Sequence, residues 1–417
     1  MKNITDKYLK KSHIIFFLLI SVFFVLPILA AIRLLYPFIL IRIGFLFGSR
    51  IGDLASETDL YLCRLKEGYD TPKRKFIDIH FIEGSICNKQ LLRMWKRKII
   101  ILPYLVCKPV YFYSTFLPDS HIFCIPRLVA DKFGNIVEKF PPQLQFNNTE
   151  EKIGENYLKS IGLKENDKYV CLIVRDNSYL KSTYPNYNWD YHDYRDCNID
   201  NYKLATKKLT KEGYFVFRMG KKVNQPFSLN EKVIDYANSD ARSDFLDIYL
   251  CAKCDFLVSS GLGLDAVSHI FRRPIVYTNI VPIGIGLWTG HKKYLATIRH
   301  HFSSRLNRRL SVKEICNLNL HILSRSYEFK EKEILLEENT SEEIKDIVNE
   351  MILIEKNKIE YTIDDNKRQK LFWKNYHKDL TIFKDDRIHG KRKVKIHDKI
   401  KMKIGKKFLE NNLYLLN

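Results

Sequence analysis

Three strand-like apolar runs end in residues suited to holding negative charge. Val258-Ser-Ser-Gly-Leu-Gly-Leu-Asp-Ala266 leads from an apolar segment through two hydroxyls and two glycines into a helical pattern. Small residues let backbone N–H groups approach a phosphate, and a helix start favours negative charge. Arg218-Met-Gly220 and Arg175-Asp176 each put an arginine directly after such a run. A guanidinium there is placed to grip a diphosphate through two parallel hydrogen bonds. Each signal also has a bland explanation. A tight strand-to-helix turn needs glycine regardless, and a single arginine more often makes an ordinary ion pair. Together they predict an anion-binding wall of Arg218, Ser259, Ser260, Gly261 and Gly263, with Arg175 nearby and Gly220, Asp244 and Asp265 as further members. Asp244 fits a plain helix cap equally well.

Chemistry at such a site calls for groups that meet developing charge and, for some reactions, a base. Arg175 and Arg218 suit the first task, and Asp53, Asp176 or His192 the second, although each of these is more often a cap or a surface residue. The expected catalytic set is Asp53, Asp176, Arg175 and Arg218. No Asp-x-Asp is present among the apolar-run ends, and the adjacent pairs Asp364-Asp365 and Asp385-Asp386 are poorly arranged for one-face chelation. Neither metal nor cofactor is expected. Cys251-Ala-Lys-Cys254 lacks a second Cys or His pair at zinc spacing, and the odd total of nine cysteines favours a reducing compartment.

The elements that must position these residues alternate. Phe38–Phe47, Phe76–Ile82 and Ile99–Leu102 read as strands, with helices from Asp53 to about Lys66 and from Gln90 to Lys96 between them. Pro118 to Gln145 reads as loop. The alternation restarts at Glu150, with strands Tyr169–Val174, Tyr214–Arg218, Asp255–Val258 and Pro274–Tyr277 separated by helices. Arg175 to Asp200 reads as a long polar, aromatic loop. Ligands of open α/β sheets bind at the carboxyl ends of strands, where all three anion signals fall.

A chain of 417 residues with 46% hydrophobic and 28% charged residues is neither disordered nor fibrous. Lys plus Arg is 69 against 48 Asp plus Glu, a net charge of +21. Asn366 to Lys407 holds 16 Lys/Arg and four Asp, so +12 lies in one tail, which suits either an anionic surface or a solvated helix pair. Ile14 to Ile32 is uncharged and apolar, long enough to span a bilayer, and preceded by Lys7, Lys10 and Lys11. A cleaved signal peptide is the rival, but apolar character continues through Ile41. A single N-terminal membrane anchor is expected, with the rest of the chain on the cytoplasmic face.

The stretch from Tyr169 to Gly284 resembles a family of bacterial glycosyltransferases of surface-polysaccharide gene clusters. The likeness rests on Val174-Arg-Asp176, Tyr194-Arg195, Gly213-Tyr-Phe-Val-Phe-Arg-Met-Gly220, Ser243-Asp-Phe-Leu-Asp247 and Cys254 through Gly284. Ile41-Arg-Ile-Gly44 with Ser49-Arg-Ile-Gly-Asp53 resembles that family's opening, and Leu336–Ile344 with Lys407–Asn411 its end. More distantly, the pattern is similar to fucosyltransferase-like enzymes. The resemblance implies an α/β, GT-B-like fold of two facing Rossmann-like domains behind the membrane-anchor helix. The expected divisions are 1–35 anchor, 36–150 acceptor domain, 151–345 nucleotide-sugar domain, and 346–417 C-terminal helices and basic tail, with the helices packing back across the first domain. It implies metal-independent transfer of a hexosyl or fucosyl group from a nucleotide-sugar donor to a cell-surface polysaccharide or lipid-linked glycan at a membrane, without nucleic acid. A nucleotide-sugar epimerase and a non-catalytic scaffold of a polysaccharide assembly complex are the alternatives.

Overall fold

The computed structural model describes residues 23–69, 71–126, 136–183, 185–186, 188–283, 293–376 and 402–417. Residues 14–22 of the expected anchor and the centre of the basic tail lie outside the described residues.

The first unit is a parallel sheet of β1 (Leu40–Phe47), β2 (Phe76–Glu83) and β3 (Ile100–Ile101) in the order β1-β2-β3. Leu40 to Phe47 pairs in continuous register with Phe76 to Glu83. Strand periodicity then sorts the side chains onto two faces. Ile43, Ile79, Phe45 and Phe81 turn to one face, which helix α1 (23–35) and α4 (Tyr104–Ser114) cover through Val25, Leu29, Ile32, Cys107 and Val110. Arg42, Asp78 and His80 turn to the other, under α2 (Ile51–Glu67). There Arg42 Nε donates to Asp78 at 2.7 Å, and the Tyr61 hydroxyl donates to the same carboxylate. Burial pushes the His80 imidazole down to about 4, so it packs as a neutral ring. Helix α3 (Lys89–Lys96) follows β2, and the short α5 (Ser120–Phe123) lies within the expected loop.

A connection through α6 (Asn148–Ser160) leads to the second unit. Its strands are β4 (Tyr169–Ile173), β5 (Phe215–Arg218), β6 (Val233–Ile234), β7 (Phe256–Ser259), β8 (Ile275–Ile280) and β9 (Tyr294–Ile298). With the late strand β13 (Lys403–Ile404) they form one seven-stranded sheet, β13-β9-β8-β7-β4-β5-β6, in which every recorded pairing is parallel. Near-continuous apolar strands suit such a sheet because helices cover both faces. The expected long loop instead carries α7 (Ser178–Thr183) and two 3-10 turns before α8 (Lys203–Lys211). Helices α9 (Asp244–Lys253) and α10 (Asp265–Ile270) cover the face bearing Cys171, Phe217 and Leu257. Cys251 and Cys254 are buried there as free thiols. A small antiparallel sheet of β10 (His300–Ser303), β11 (Arg308–Arg309) and β12 (Ile334–Glu337), with α11 (Val312–Asn317) and α12 (Ser326–Glu331), completes this side.

One expectation needs correction. Helix α13 (Ser341–Glu355) packs on α8 through Ile344, Ile347, Val348 and Met351, while α14 (Ile363–Asn375) and α15 (Lys406–Asn411) join the core of the second unit. The described C-terminal helices therefore pack on the second unit and do not cross the first domain. Their last strand extends the second sheet, because a parallel edge strand is satisfied by the β9 backbone. Among the described residues no helix is long and apolar enough to cross a membrane. The described half of the expected anchor is α1, and one of its stripes is docked on the first sheet.

The two units meet through α2 and α10. A Cβ built on Gly52 would stand 3.2 Å from the Gly263 Cα, so side-chain-free backbones touch at this point. Arg272 Nη1 lies 3.0 Å from buried Asp59 of α2. Burial pushes the Asp59 carboxyl up to about 6 even though Arg272 pulls it down. The folded form thus keeps a proton that the unfolded chain loses above 3.8, so this group's stabilisation is full below that pH and is lost as the pH rises through about 6. Arg272→Met should lower stability by about 3–5 kcal/mol at neutral pH, where it strands a buried carboxylate. The loss should shrink in urea melts at pH 4.5, where Asp59 is already neutral.

Candidate functional site

The carboxyl ends of β1, β4 and β5 and the turn after β7 converge on one cleft of about 690 Å³. From the first unit come Ser49 to Asp53, Cys87 and Asn88. From the second come Ile173 to Asp176, Met219 to Val223 and Leu262 to Leu264. Tyr179, Trp189, His192 and Arg195 close one side. Five cations (Arg50, Arg175, Arg195, Lys221 and Lys222) face three carboxylates, Asp53, Asp176 and Asp247. Among the described residues Arg50 and Lys222 form no ion pair. The N-terminus of α2 also opens here, and Arg50 at its cap supplies no side-chain acceptor for the first N–H groups. Cations therefore outnumber carboxylates on the cleft wall.

Arg175 stands where the sequence placed it. Its backbone N–H donates to the Ser260 hydroxyl at 2.8 Å, and its Nε lies 3.2 Å from Asp196. Burial, and then Arg195 alongside, hold the guanidinium below its ordinary value. Burial likewise pushes the Asp196 carboxyl up to about 6 against the pull of Arg175. Asp53 lies in the first turn of α2 and faces the cleft. His192 also lines it, stacked near Trp189 and Tyr191. Burial and the surrounding Arg175, Arg195, Arg50 and Arg325 push it down to about 4, which makes it a weak base at neutral pH.

Several expected wall residues do other work. Arg218 is 1% exposed and does not line the cleft. Its Nη1 lies 3.6 Å from Asp235 and its Nη2 3.9 Å from Asp176. Asp176 lines the cleft, but its two oxygens accept the Ser178 and Asn224 backbone N–H groups, so it fastens two loops. Ser259 and Asp265 are buried behind the turn. The Ser259 hydroxyl donates to the Asp265 carboxylate at 2.9 Å, and the same carboxylate accepts the Leu262 N–H. Ser260 is buried against Arg175. The hydroxyls expected to meet phosphate are thus spent on holding the turn's shape. Gly261, at φ +81°, receives the Arg195 guanidinium at its carbonyl, and only Leu262, Gly263 and Leu264 of this segment reach the cleft. Gly220 lines it at φ +152°, where a Cβ would strike Val223 at 2.7 Å. Asp244 instead ties the units together by accepting the Lys89 N–H at 2.7 Å.

The sequence reading overlooked Arg50, Arg195, Lys221, Lys222, Trp189 and Asp247 as cleft residues. Lys221-Lys222 directly after Gly220 was a visible signal, since it follows a strand end. Arg195 and Trp189 sit in a loop whose path no periodicity predicts. Among the described residues no group of three or more His, Cys, Asp or Glu side chains is placed to hold a metal ion.

Two substitutions separate these roles. Arg218→Ala should lower stability by about 3 kcal/mol, since it strands Asp235 and Asp176 around a buried void. Any change in ligand binding should follow from the loosened loops. Gly263→Val should cost about 1–3 kcal/mol by forcing the Gly52 backbone away, and should widen the cleft. Thermal melts, with crystallography of the Gly263 variant, check both.

No family model matches this chain, and no curated protein matches it. Among solved structures, the ADP-heptose lipopolysaccharide heptosyltransferase II of E. coli aligns with a TM-score of 0.33 and 15% identity over 58% of this chain and 86% of that one. A glycosyl transferase family 9 protein from Veillonella parvula aligns at 0.31 and 12% identity over 57% of this chain and 79% of that one. E. coli heptosyltransferase WaaC with ADP aligns at 0.27 and 13% identity over 70% of this chain and 99% of that one. At these scores the likeness carries no argument about fold or chemistry, which rest on this chain's own sheets and cleft.

Proposed function

We propose that this chain is a metal-independent glycosyltransferase that moves a sugar from a nucleotide-sugar donor to a cell-surface glycan or lipid-linked acceptor at a membrane's cytoplasmic face. The supporting observation is the cationic cleft between two parallel sheets, with Asp53 on the opposite wall from Arg175 and Arg195. In this reading the acceptor hydroxyl oxygen attacks the anomeric carbon, and its proton passes to the Asp53 carboxylate. The bond from that carbon to the diphosphate oxygen breaks, and the nucleoside diphosphate leaves with the electron pair. Arg175, Arg195 and the Lys221-Lys222 pair meet the charge that grows on it. Trp189 and Tyr179 offer flat apolar surfaces beside it.

Donors are tested by melting shift, which a scaffold with a degenerate site would not display. Arg175→Ala should weaken donor binding about tenfold to a hundredfold, the equivalent of one lost charge-assisted hydrogen bond. Asp53→Asn should keep the donor-induced shift but slow transfer about 10²–10⁴-fold. A rearranged free sugar, formed without acceptor, would replace this reading with the epimerase.

A further inference from the structure

Helix α1 is apolar all round apart from Arg33, yet only Val25, Leu29 and Ile32 are buried on the first sheet. Its outward side carries Phe24 and Leu34, and Phe38 follows it at 80% exposure. Helix α4 covers the same face of that sheet, so its outer side joins the same layer. There Leu105 is 74% exposed, Val106 51% and, just past the helix, Phe116 65%. A helix with apolar residues on every side needs an apolar neighbour.

The charges around this layer choose the neighbour. No Asp or Glu occurs between Asp6 and Asp53, or between Glu83 and Asp119, whereas each interval holds six Lys or Arg. Exposed Lys73, Arg74 and Lys75 stand at the α1–β1 turn, where Arg74 Nη1 donates to the Tyr36 carbonyl at 2.9 Å and its guanidinium lies over the Tyr36 ring. Exposed Arg93, Lys96 and Lys98 flank the strand that leads into α4. Exposed apolar and aromatic side chains rimmed by cations match a bilayer surface with anionic headgroups, with the apolar side chains in the acyl region and the lysines at the phosphates.

We propose that the outer faces of α1 and α4 dock in the plane of an anionic lipid bilayer, whether or not residues before 23 also insert. Helix α4 begins at the carboxyl end of β3, and β1 opens the cleft at that same end of the parallel sheet. Docking therefore brings the mouth of the cleft near the membrane surface and selects for lipid-linked acceptors over free glycans. The surface itself rests only on exposure and charge, so it stands or falls separately from the donor chemistry.

The test is flotation of the full-length chain with phosphatidylcholine vesicles containing or lacking phosphatidylglycerol. The wild type should float with the anionic vesicles, less with neutral ones and less in high salt. Leu105→Asp, Val106→Asp and Phe116→Asp combined should weaken anionic-vesicle binding about tenfold or more. Ile363→Asp, at a site 76% exposed on α14, should change nothing. Unchanged melting temperatures verify folding, and a Val106→Trp variant should blue-shift its fluorescence on vesicles. Flotation of the triple variant equal to wild type, no Trp shift in floated protein, or a change in oligomeric mass in place of vesicle binding would each overturn the proposal.

Discussion

The α2–α10 contact, where Gly52 and Gly263 let two backbones touch, is the constraint from which the cleft takes its shape. Side chains at either position would hold the first turn of α2 away from the turn after β7. With none there, the carboxyl end of β1 meets those of β4 and β5, and Asp53 of the first unit and Arg175 of the second line the same cleft. The Arg272–Asp59 pair and the Asp244 contact with the start of α3 secure the same junction from its two sides. Both bring polar groups across the interface, where their hydrogen bonds are directional. They therefore fix orientation as well as distance.

Within the cleft, electrostatic cost is spread over two layers. Arg175 and Arg195 oppose each other's charge, and the protein tolerates this through Asp196 and the Gly261 carbonyl. Behind them, Arg218 at the end of β5 sits between Asp235 and Asp176, so the segments after β4 and β6 share one buried cation. The front layer lines the cleft, whereas the back layer is buried and does not. Of the two strand-end arginines, Arg218 thus belongs to the support and Arg175 to the cleft surface.

The first sheet is asymmetric in a way that links the cleft to its surroundings. One face carries a buried Arg42–Asp78–Tyr61 cluster under α2. The other face is apolar and is covered by helices whose own outer sides are apolar too. A thin sheet of three strands cannot bury both layers of helix. The outer sides of α1 and α4 stay exposed, while α2 on the polar face packs against the second unit.

Much of this was legible in the residues. Apolar runs of strand length, each followed by an amphipathic stretch, specified the two parallel α/β units, because periodicity is set by local geometry. The same runs located the cleft in sequence, since strand ends mark where a parallel sheet offers its loops. The arginine after Ile173-Val174 and the aspartate in Ser49-Arg-Ile-Gly-Asp53 were found this way and do line it. Residue type alone could not say which polar groups face inward. Arg218 and Ser259 carry the chemistry of an anion site, but each is buried next to a carboxylate, Asp235 or Asp265, that is distant along the chain or hidden behind the turn. Arg195 and Trp189 reach the cleft through a loop path set by packing. The C-terminal strand joins the far edge of the second sheet because β9 there presents an unpaired backbone, a vacancy no local sequence records. Local pattern decided the elements and their loops, and tertiary pairing of charges decided which side of each loop faces the cleft.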